Sequence, residues 1–218
     1  MIIAIDGPAG SGKSTTAKRV AKTLDWLYLD TGAMYRSITL YFLENNVIYG
    51  SGNDYKNTLE EIKIDFSKDK SNHVFLNDKN VTNKIRSTKV TNYVSTVSMN
   101  SSIRKYCVEI QKKIAENTNI VVEGRDIGTK VFPDAEVKIF LTASVEERAK
   151  RRYKELNDDS IEFKDLVQDI KSRDKKDMTR ENSPLKKAKD AILVDTSGMN
   201  FEQQITEITK HIECKISI

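Results

Sequence analysis

Histidine is scarce in this chain: His73 and His211 are the only two among 218 residues. So few argue against a histidine metal centre or a histidine acid–base scheme. Chemistry is left to lysine, arginine, backbone amides and Mg²⁺. Cysteine is equally sparse. Cys107 and Cys214 form no CxxC pair and no metal-ligand spacing, so two reduced thiols are expected. No run of about 18 apolar residues is present, which excludes a membrane-spanning helix. The opening Met1-Ile2-Ile3-Ala4-Ile5 has no basic flank and stops at Asp6, so no signal peptide is expected and the protein reads as cytoplasmic. A long basic tract is also missing. Lysine and arginine number 36 against 32 acidic residues, and the signs are mixed, so nucleic-acid binding is not expected despite the net charge of +4. That mild positive excess suits polyphosphate ligands. There are no internal repeats and no low-complexity segments, and nothing signals an oligomer, so a monomer is expected.

What the chain does contain is charge (31% of residues) and a somewhat lean 38% of hydrophobic residues. The length suits one globular unit with insertions. Short apolar runs end in a polar residue: Ile2–Ile5 before Asp6, Trp26–Leu29 before Asp30, Ile120–Val122 before Glu123, and Ala191–Val194 before Asp195. Val137–Leu141 is a fifth. Runs of this kind suit parallel strands buried on both faces. Helical stripes alternate with them, at Ala17, Val20, Ala21 and Leu24 and again at Phe201, Ile205, Ile208 and Ile212. The fold class expected is α/β, a five-stranded parallel sheet with helices on both faces. Residues 62–85 change to a period of two, with Asn77-Asp78-Lys79-Asn80 as a hairpin turn, so a small antiparallel sheet is inserted there. Residues 146–180 form a short helical lid region, with Phe163, Leu166, Val167 and Ile170 on one apolar face and Asn157-Asp158-Asp159-Ser160 as a hinge.

The strongest motif is Gly7-Pro8-Ala9-Gly10-Ser11-Gly12-Lys13-Ser14, followed by Thr15. It matches GxxxxGK[ST] and lies between a strand signal and a helix signal. Glycines let consecutive N–H groups turn inward, and the helix N-terminus adds positive potential. Lys13 is placed to reach the β- and γ-phosphates, and the Ser14 hydroxyl to take a Mg²⁺ coordination place. The loop alone leaves the acceptor open: water would mean a nucleotide hydrolase, a second substrate a kinase. No convincing NKxD-type guanine-reading element is present, and Glu123 is a single carboxylate at a strand end.

Three further elements bear on the acceptor. Asp30-Thr31-Gly32-Ala33-Met34-Tyr35-Arg36 follows the second strand, and Glu123-Gly124-Arg125-Asp126-Ile127-Gly128-Thr129 follows the third. Ligands of open α/β sheets bind beyond the carboxyl ends of the strands. The third element, Arg173 to Arg180, places Arg173, Asp177 and Arg180 on one face if the helix continues. Read singly, Arg36 is also compatible with a solvated helix position, and Asp126 with a cap or a partner of Arg125.

With these motifs the chain resembles the bacterial cytidylate kinases, nucleoside monophosphate kinases of the P-loop class. The resemblance runs nearly end to end, through IDGPAGSGKST at 5–15, LDTGAMYR at 29–36, GRDIGT at 124–129, VFPDAEVKIFLTASVEERAKRR at 131–152 and RDxxDxxR at 173–180. One departure is Glu123, where many relatives carry Asp. The resemblance implies transfer of the γ-phosphate of ATP, with Mg²⁺, to CMP and dCMP, giving ADP and CDP or dCDP. It implies that Gly7 to Thr15 bind ATP. It implies that Arg36, Arg125 and Arg180 hold the CMP phosphate, that Ser95, Arg104 and Asp126 read cytosine, and that Arg173 and Asp177 contact the ribose, with Thr31 lining the pocket. Lys13, Arg125, Arg180 and Arg152 are the residues expected to act in transfer. Arg148, Arg151 and Arg152 begin the lid helix, where Arg148 and Arg152 sit one turn apart for the ATP phosphates or adenine; the alternative reading of the three is a solvated basic helix face. The core is expected at 1–30, 105–145 and 185–218, and the monophosphate-binding part at 31–104. Two rival readings remain, a P-loop module that binds nucleotide for regulation and a kinase with another acceptor such as UMP or AMP.

Overall fold

The structure is a computed structural model that describes residues 1–50, 53–67, 72–156 and 162–216. The hinge expected at 157–160 lies outside them. By its internal contacts the chain divides into two compact units, Met1–Leu29 with Asn117–Ile218, and Asp30–Glu116.

The first unit is built on the five-stranded parallel sheet that the apolar runs imply. Its strands are β1 (Ile2–Asp6), β2 (Leu27–Asp30), β6 (Ile120–Gly124), β7 (Val137–Thr142) and β8 (Ile192–Asp195), in the order β2-β6-β1-β7-β8. β1 is central. It pairs with β6 from Ile2 opposite Ile120 to Asp6 opposite Gly124, and with β7 from Ile3 opposite Val137 to Asp6 opposite Phe140. A strand hydrogen-bonded on both edges and covered on both faces must be apolar throughout, which is why Ile3, Ala4 and Ile5 are fully buried. Every strand runs on past its apolar run: β1 takes in Asp6, β2 Asp30, β6 Glu123 and Gly124, β7 Thr142 and β8 Asp195, while β2 and β8 each begin one residue later, at Leu27 and Ile192.

Helix α1 (Lys13–Leu24) buries Ala17, Val20 and Ala21 against Ile3, Ile5 and Ile139. The last helix, α8 (Phe201–Ile216), adds Ile208 and Ile212 to the same core. Phe201, at the start of the α8 stripe, stays partly exposed. The helices α6 (Val145–Leu156) and α7 (Phe163–Thr179) join through a small cluster of Ala149, Leu166 and Ile170. No helix among the described residues is long and apolar enough to cross a membrane.

The second unit is organised on α2 (Thr31–Glu44), with α3 (Lys56–Glu60), α4 (Thr88–Val97) and α5 (Ser101–Ala115). Its core holds Met34, Ile38, Ile85, Ile103 and the buried thiol of Cys107. The inserted antiparallel sheet is present as β3 (Ile64–Phe66), β4 (Val74–Leu76) and β5 (Lys79–Asn80). The hairpin turn is tighter than the four residues expected. Only Asn77 and Asp78 turn, both with positive φ (47° and 64°), while Lys79 and Asn80 pair with Leu76 and Phe75. Two successive left-handed residues match the right-handed twist of the flanking strands, and Asn and Asp tolerate that conformation best after glycine.

The packing makes a stability prediction. Ile208→Ala, deep in the first unit's core, should lower stability by about 2–5 kcal/mol. Leu193→Ala, on the exposed side of the edge strand β8, should change it by less than about 0.5 kcal/mol. Denaturant midpoints of the two variants check this, and equal midpoints would contradict the core assignment.

Candidate active site

The loop between β1 and α1 has the backbone that a polyphosphate cradle needs. Gly7 lies against the adjacent strand so closely that a Cβ there would stand 2.0 Å from the Leu141 carbonyl oxygen, a backbone atom that cannot give way. Gly12 caps α1 with φ 88°, a left-handed conformation open mainly to glycine. Lys13 is buried, and its ammonium donates to the Pro8 carbonyl at 2.7 Å, folded back over its own loop. Ser11 is also buried, and among the described residues its hydroxyl has no hydrogen-bond partner. Ser14 and Thr15 stand exposed at the start of α1.

Behind the loop, the Ser14 hydroxyl donates to Glu123 Oε2 at 2.8 Å, and the Tyr28 hydroxyl donates to Glu123 Oε1. Glu123 is 3% exposed. A hydroxyl oxygen backed by a carboxylate is the hard-oxygen donor set that Mg²⁺ prefers. Among the described residues no three histidine, cysteine or acidic side chains gather around a metal position. The donors therefore suit a cation delivered with phosphate oxygens. The Glu123 departure keeps a carboxylate in contact with the hydroxyl that the motif places at the metal.

The turn after β6 carries Arg125 and Asp126 and continues into a single wide turn, Ile127–Val131. Arg125 Nε donates to Asp177 Oδ2 at 3.0 Å, and Arg180 Nη2 stands 3.6 Å from Asp126 Oδ1. Arg180 Nε also donates to the Ser183 carbonyl at 2.6 Å. The continuation of α7 expected from the RDxxDxxR spacing does not occur. The helix ends at Thr179, and Arg180 is its extended C-terminal cap. Arg180 thus reaches Asp126 by leaving the helix, and the expected common face holds only Arg173 and Asp177. Half-buried Arg173 contributes positive potential at both Lys13 and Asp177.

These charges set the protonation of their neighbours. Burial drives the Lys13 ammonium well below the ordinary lysine range; Arg125 pushes the same way, Glu123 opposes, Arg173 adds to the fall and Asp6 resists it. Burial also raises Asp177, but Arg125, Arg173 and Arg180 together outweigh it and leave that carboxyl below its usual value. A lysine pressed toward neutrality beside several guanidiniums marks a place short of negative charge.

The arginines of α6 are held by protein groups. Arg148 is buried and pairs with Asp174 at 2.6 Å, and it donates to the carbonyls of Ala143 and Ala9, both at 3.0 Å. It braces the phosphate loop from behind through Ala9. Breaking a buried pair of this kind costs about 3–5 kcal/mol. Arg151 donates to Glu147 and to the hydroxyl and carbonyl of Thr196. Arg152 is half-exposed and pairs with Glu155 at 3.3 Å.

Within the second unit, Thr31 is buried at the first position of α2, whose N-cap Asp30 accepts from the Ala33 amide at 3.0 Å. Arg36 donates to Thr91 Oγ1 at 2.9 Å and to the Ile85 carbonyl at 3.3 Å. Arg104 is 5% exposed, donates to the Ser98 carbonyl at 3.3 Å, and lies 5.4 Å from the centre of the Tyr35 ring. That distance is in cation–π range. Ser95 is half-buried on α4, and its carbonyl accepts from Ser98 Oγ at 3.0 Å.

Sequence reasoning passed over three residues here. Tyr35 carries Arg104 on its ring. Tyr28 orients Glu123, and Asp6 accepts two amides of the Arg125–Asp126 turn. Asp6 alone left a signal in the sequence, as a charge at the end of the most apolar strand.

The comparisons with known proteins bear on this arrangement. The cytidylate kinase family profile matches residues 3–214. The chain belongs to the cytidylate kinase family. The cytidylate kinase of Thermosipho melanesiensis is 51% identical over 218 residues, covering 98% of both chains, and that of Carboxydothermus hydrogenoformans is 49% identical over 216 residues, covering 97% of both. A bifunctional pantoate ligase/cytidylate kinase of Prochlorococcus marinus is 48% identical, and the match spans 43% of that longer protein. Among solved structures, an uncharacterized protein from Eubacterium ventriosum superposes with a TM-score of 0.56 at 15% identity, covering 98% of each chain; this bears on the fold alone.

The state of Lys13 in this family member gives a second prediction. Its ammonium is disfavoured in the free protein, so above neutral pH part of the population is deprotonated. A bound triphosphate raises the affinity for that proton. Binding of ATP, used as the triphosphate probe at about pH 8.5 where its terminal phosphate is already fully ionised, should therefore take up protons. Calorimetry in two buffers of different ionisation enthalpy measures this. Uptake should vanish in Lys13→Met, and buffer-independent heats in the wild type would contradict it.

Proposed function

We propose that the protein transfers the γ-phosphate of ATP to CMP and dCMP, yielding ADP and CDP or dCDP. The observation that carries this reading is the end-to-end family match, made on a chain whose phosphate loop sets Lys13 beside Arg125 and Arg173. It is read as a cytoplasmic monomer.

Phosphoryl transfer asks the protein mainly to position groups in line and to neutralise charge on the moving phosphoryl. In the first unit, Gly7 to Thr15 cradle ATP through backbone amides, and Lys13 exchanges its Pro8 contact for the β- and γ-phosphates. Mg²⁺ supplies charge neutralisation there when bound; Ser14 would ligate it, with Glu123 fixing the hydroxyl. Arg125 and Arg180 orient the acceptor phosphate bidentately. Arg173 and Asp177 take the ribose hydroxyls. Asp126 accepts from the cytosine N4 amino group, where uracil would offer a second acceptor and be rejected. In the second unit, Arg36 is assigned to the acceptor phosphate and Ser95 and Arg104 to cytosine, with Thr31 lining their pocket. The acceptor oxygen is already ionised, so no strong general base is needed, consistent with two histidines at His73 and His211 far from these motifs in sequence.

Arg148 and Arg152 are assigned to ATP and to transfer from their place on α6. For Arg148 the Asp174 pair and the Ala9 contact support an indirect part, exerted through the loop. Arg152 is the more accessible of the two.

ADP release measured with ATP, Mg²⁺ and one of CMP, dCMP, UMP, AMP or no acceptor tests this reading. Turnover is expected with CMP and dCMP, with little from UMP or AMP; release without acceptor would overturn the kinase assignment. Asp126→Asn should lower kcat/KM for CMP by about 100-fold or more, since it places an amide where the amino group needs a carboxylate. An unchanged CMP-over-UMP preference in that variant would remove Asp126 from cytosine reading.

A further inference from the structure

We infer that Asp6 is a positioning residue for acceptor recognition, clamping the backbone of the turn that presents Arg125 and Asp126. The inference rests on the CMP kinase reading above and adds to it a residue to which that reading gives no nucleotide contact.

Asp6 is the last residue of β1 and is 5% exposed. Its two carboxylate oxygens are divided between two consecutive amides: Oδ1 accepts from the Ile127 N–H and Oδ2 from the Gly128 N–H, each at 2.8 Å. These amides open the Ile127–Val131 turn, where no earlier turn supplies them with a carbonyl. In the sheet, Asp6 stands in register with Gly124, the residue from which the chain leaves β6 toward Arg125. The clamp therefore ties the chain on the far side of Arg125 and Asp126 to the strand that leads into the phosphate loop. The two side chains are carried on a short span fixed at both ends, by sheet pairing at Gly124 and by the carboxylate at Ile127 and Gly128.

The approach is close on the other flank as well. A Cβ at Gly128 would lie 3.2 Å from Lys138 Cδ and 3.5 Å from Asp6 Oδ2, so the turn has little room to settle elsewhere. Burying this carboxylate is costly. Burial pushes its pKa up to about 6, the amides of Gly128 and Ile127 pull it back, nearby Asp126 raises it and Lys13 lowers it. At neutral pH it remains ionised, and only the ionised group offers both oxygens as acceptors. A neutral amide of the same shape would face one of the two N–H groups with its own NH₂, donor against donor. A shift of about 1 Å in a substrate-orienting group is enough to cost about 100-fold in rate. The expected consequence of losing the clamp falls on the acceptor and on discrimination between pyrimidines, the work of Asp126.

The experiment is steady-state kinetics of the full chain and of Asp6→Asn with CMP and with UMP. In the variant, KM for CMP should rise about tenfold, kcat/KM for CMP should fall about 100-fold, and the CMP-over-UMP preference in kcat/KM should fall about tenfold or more, with KM for ATP moving less than about threefold. Equal losses for both acceptors with the preference intact would mean a role in the fold only and would overturn the inference. A selective wild type whose Asn variant matches it would overturn the inference alone, whereas a wild type inactive on CMP would overturn the functional reading beneath it. Should the variant not fold, hydrogen exchange in the nucleotide-free wild type decides the matter. Protection of the Ile127 and Gly128 amides beyond that of exposed loop amides is expected, and fast exchange at both would overturn the clamp.

Discussion

The structure of the first unit depends on one constraint, the central place of β1 in its parallel sheet. A strand paired on both edges and buried on both faces is the most rigid backbone available to a domain of this size. The phosphate loop and the turn of Arg125 and Asp126 leave from the carboxyl ends of β1 and of its neighbour β6. The phosphate loop follows Asp6, the Arg125–Asp126 turn follows β6, and Leu141 of β7 presses its carbonyl on Gly7. Precision at the loop is thus inherited from hydrogen bonds in the sheet.

Charge is the second organising feature, and it follows from what the site must accept. The guanidiniums of Arg125 and Arg173 repel one another and Lys13 beside them. The protein offsets this with carboxylates placed singly: Asp177 on Arg125, Asp126 near Arg180, Asp174 on Arg148. In the proposed function two of these arrangements re-form around the substrate, because a phosphate or a cytosine amino group offers the same kind of partner. The Arg148–Asp174 pair is different. Its remaining donors go to backbone carbonyls, one of them in the phosphate loop, so it serves as a brace.

Much of this was legible in the residue order. Apolar runs closed by a charge marked four of the five parallel strands, and the alternation at 62–66 marked the inserted sheet. The limits of legibility were local. The hairpin at Asn77 was read two residues too long because Asn, Asp and Lys all suit turns, and only backbone dihedrals separate Asn77-Asp78 from the paired Lys79-Asn80. The spacing of Arg173, Asp177 and Arg180 was read as one helical face, whereas α7 stops at Thr179 and Arg180 is placed by the chain beyond it. Helix ends are set by a few competing hydrogen bonds, here including Arg180 Nε to the Ser183 carbonyl, and periodicity carries no record of those.

The sequence by itself determined the fold class and the identity of the phosphate loop, because both are written in short-range patterns: strand and helix periods, and glycines at fixed spacing before Lys13. Only the tertiary structure decided what Asp6, Tyr28, Tyr35 and Arg148 do. Each acts on a partner distant in sequence, Asp6 on the amides of Ile127 and Gly128, Tyr28 on Glu123, Tyr35 on Arg104, and Arg148 on Ala9 and Asp174. A lone aspartate, tyrosine or arginine has no pattern in sequence that names its partner. The partner is chosen by packing, which brings distant groups within hydrogen-bond reach and makes an unpaired buried charge too costly to keep.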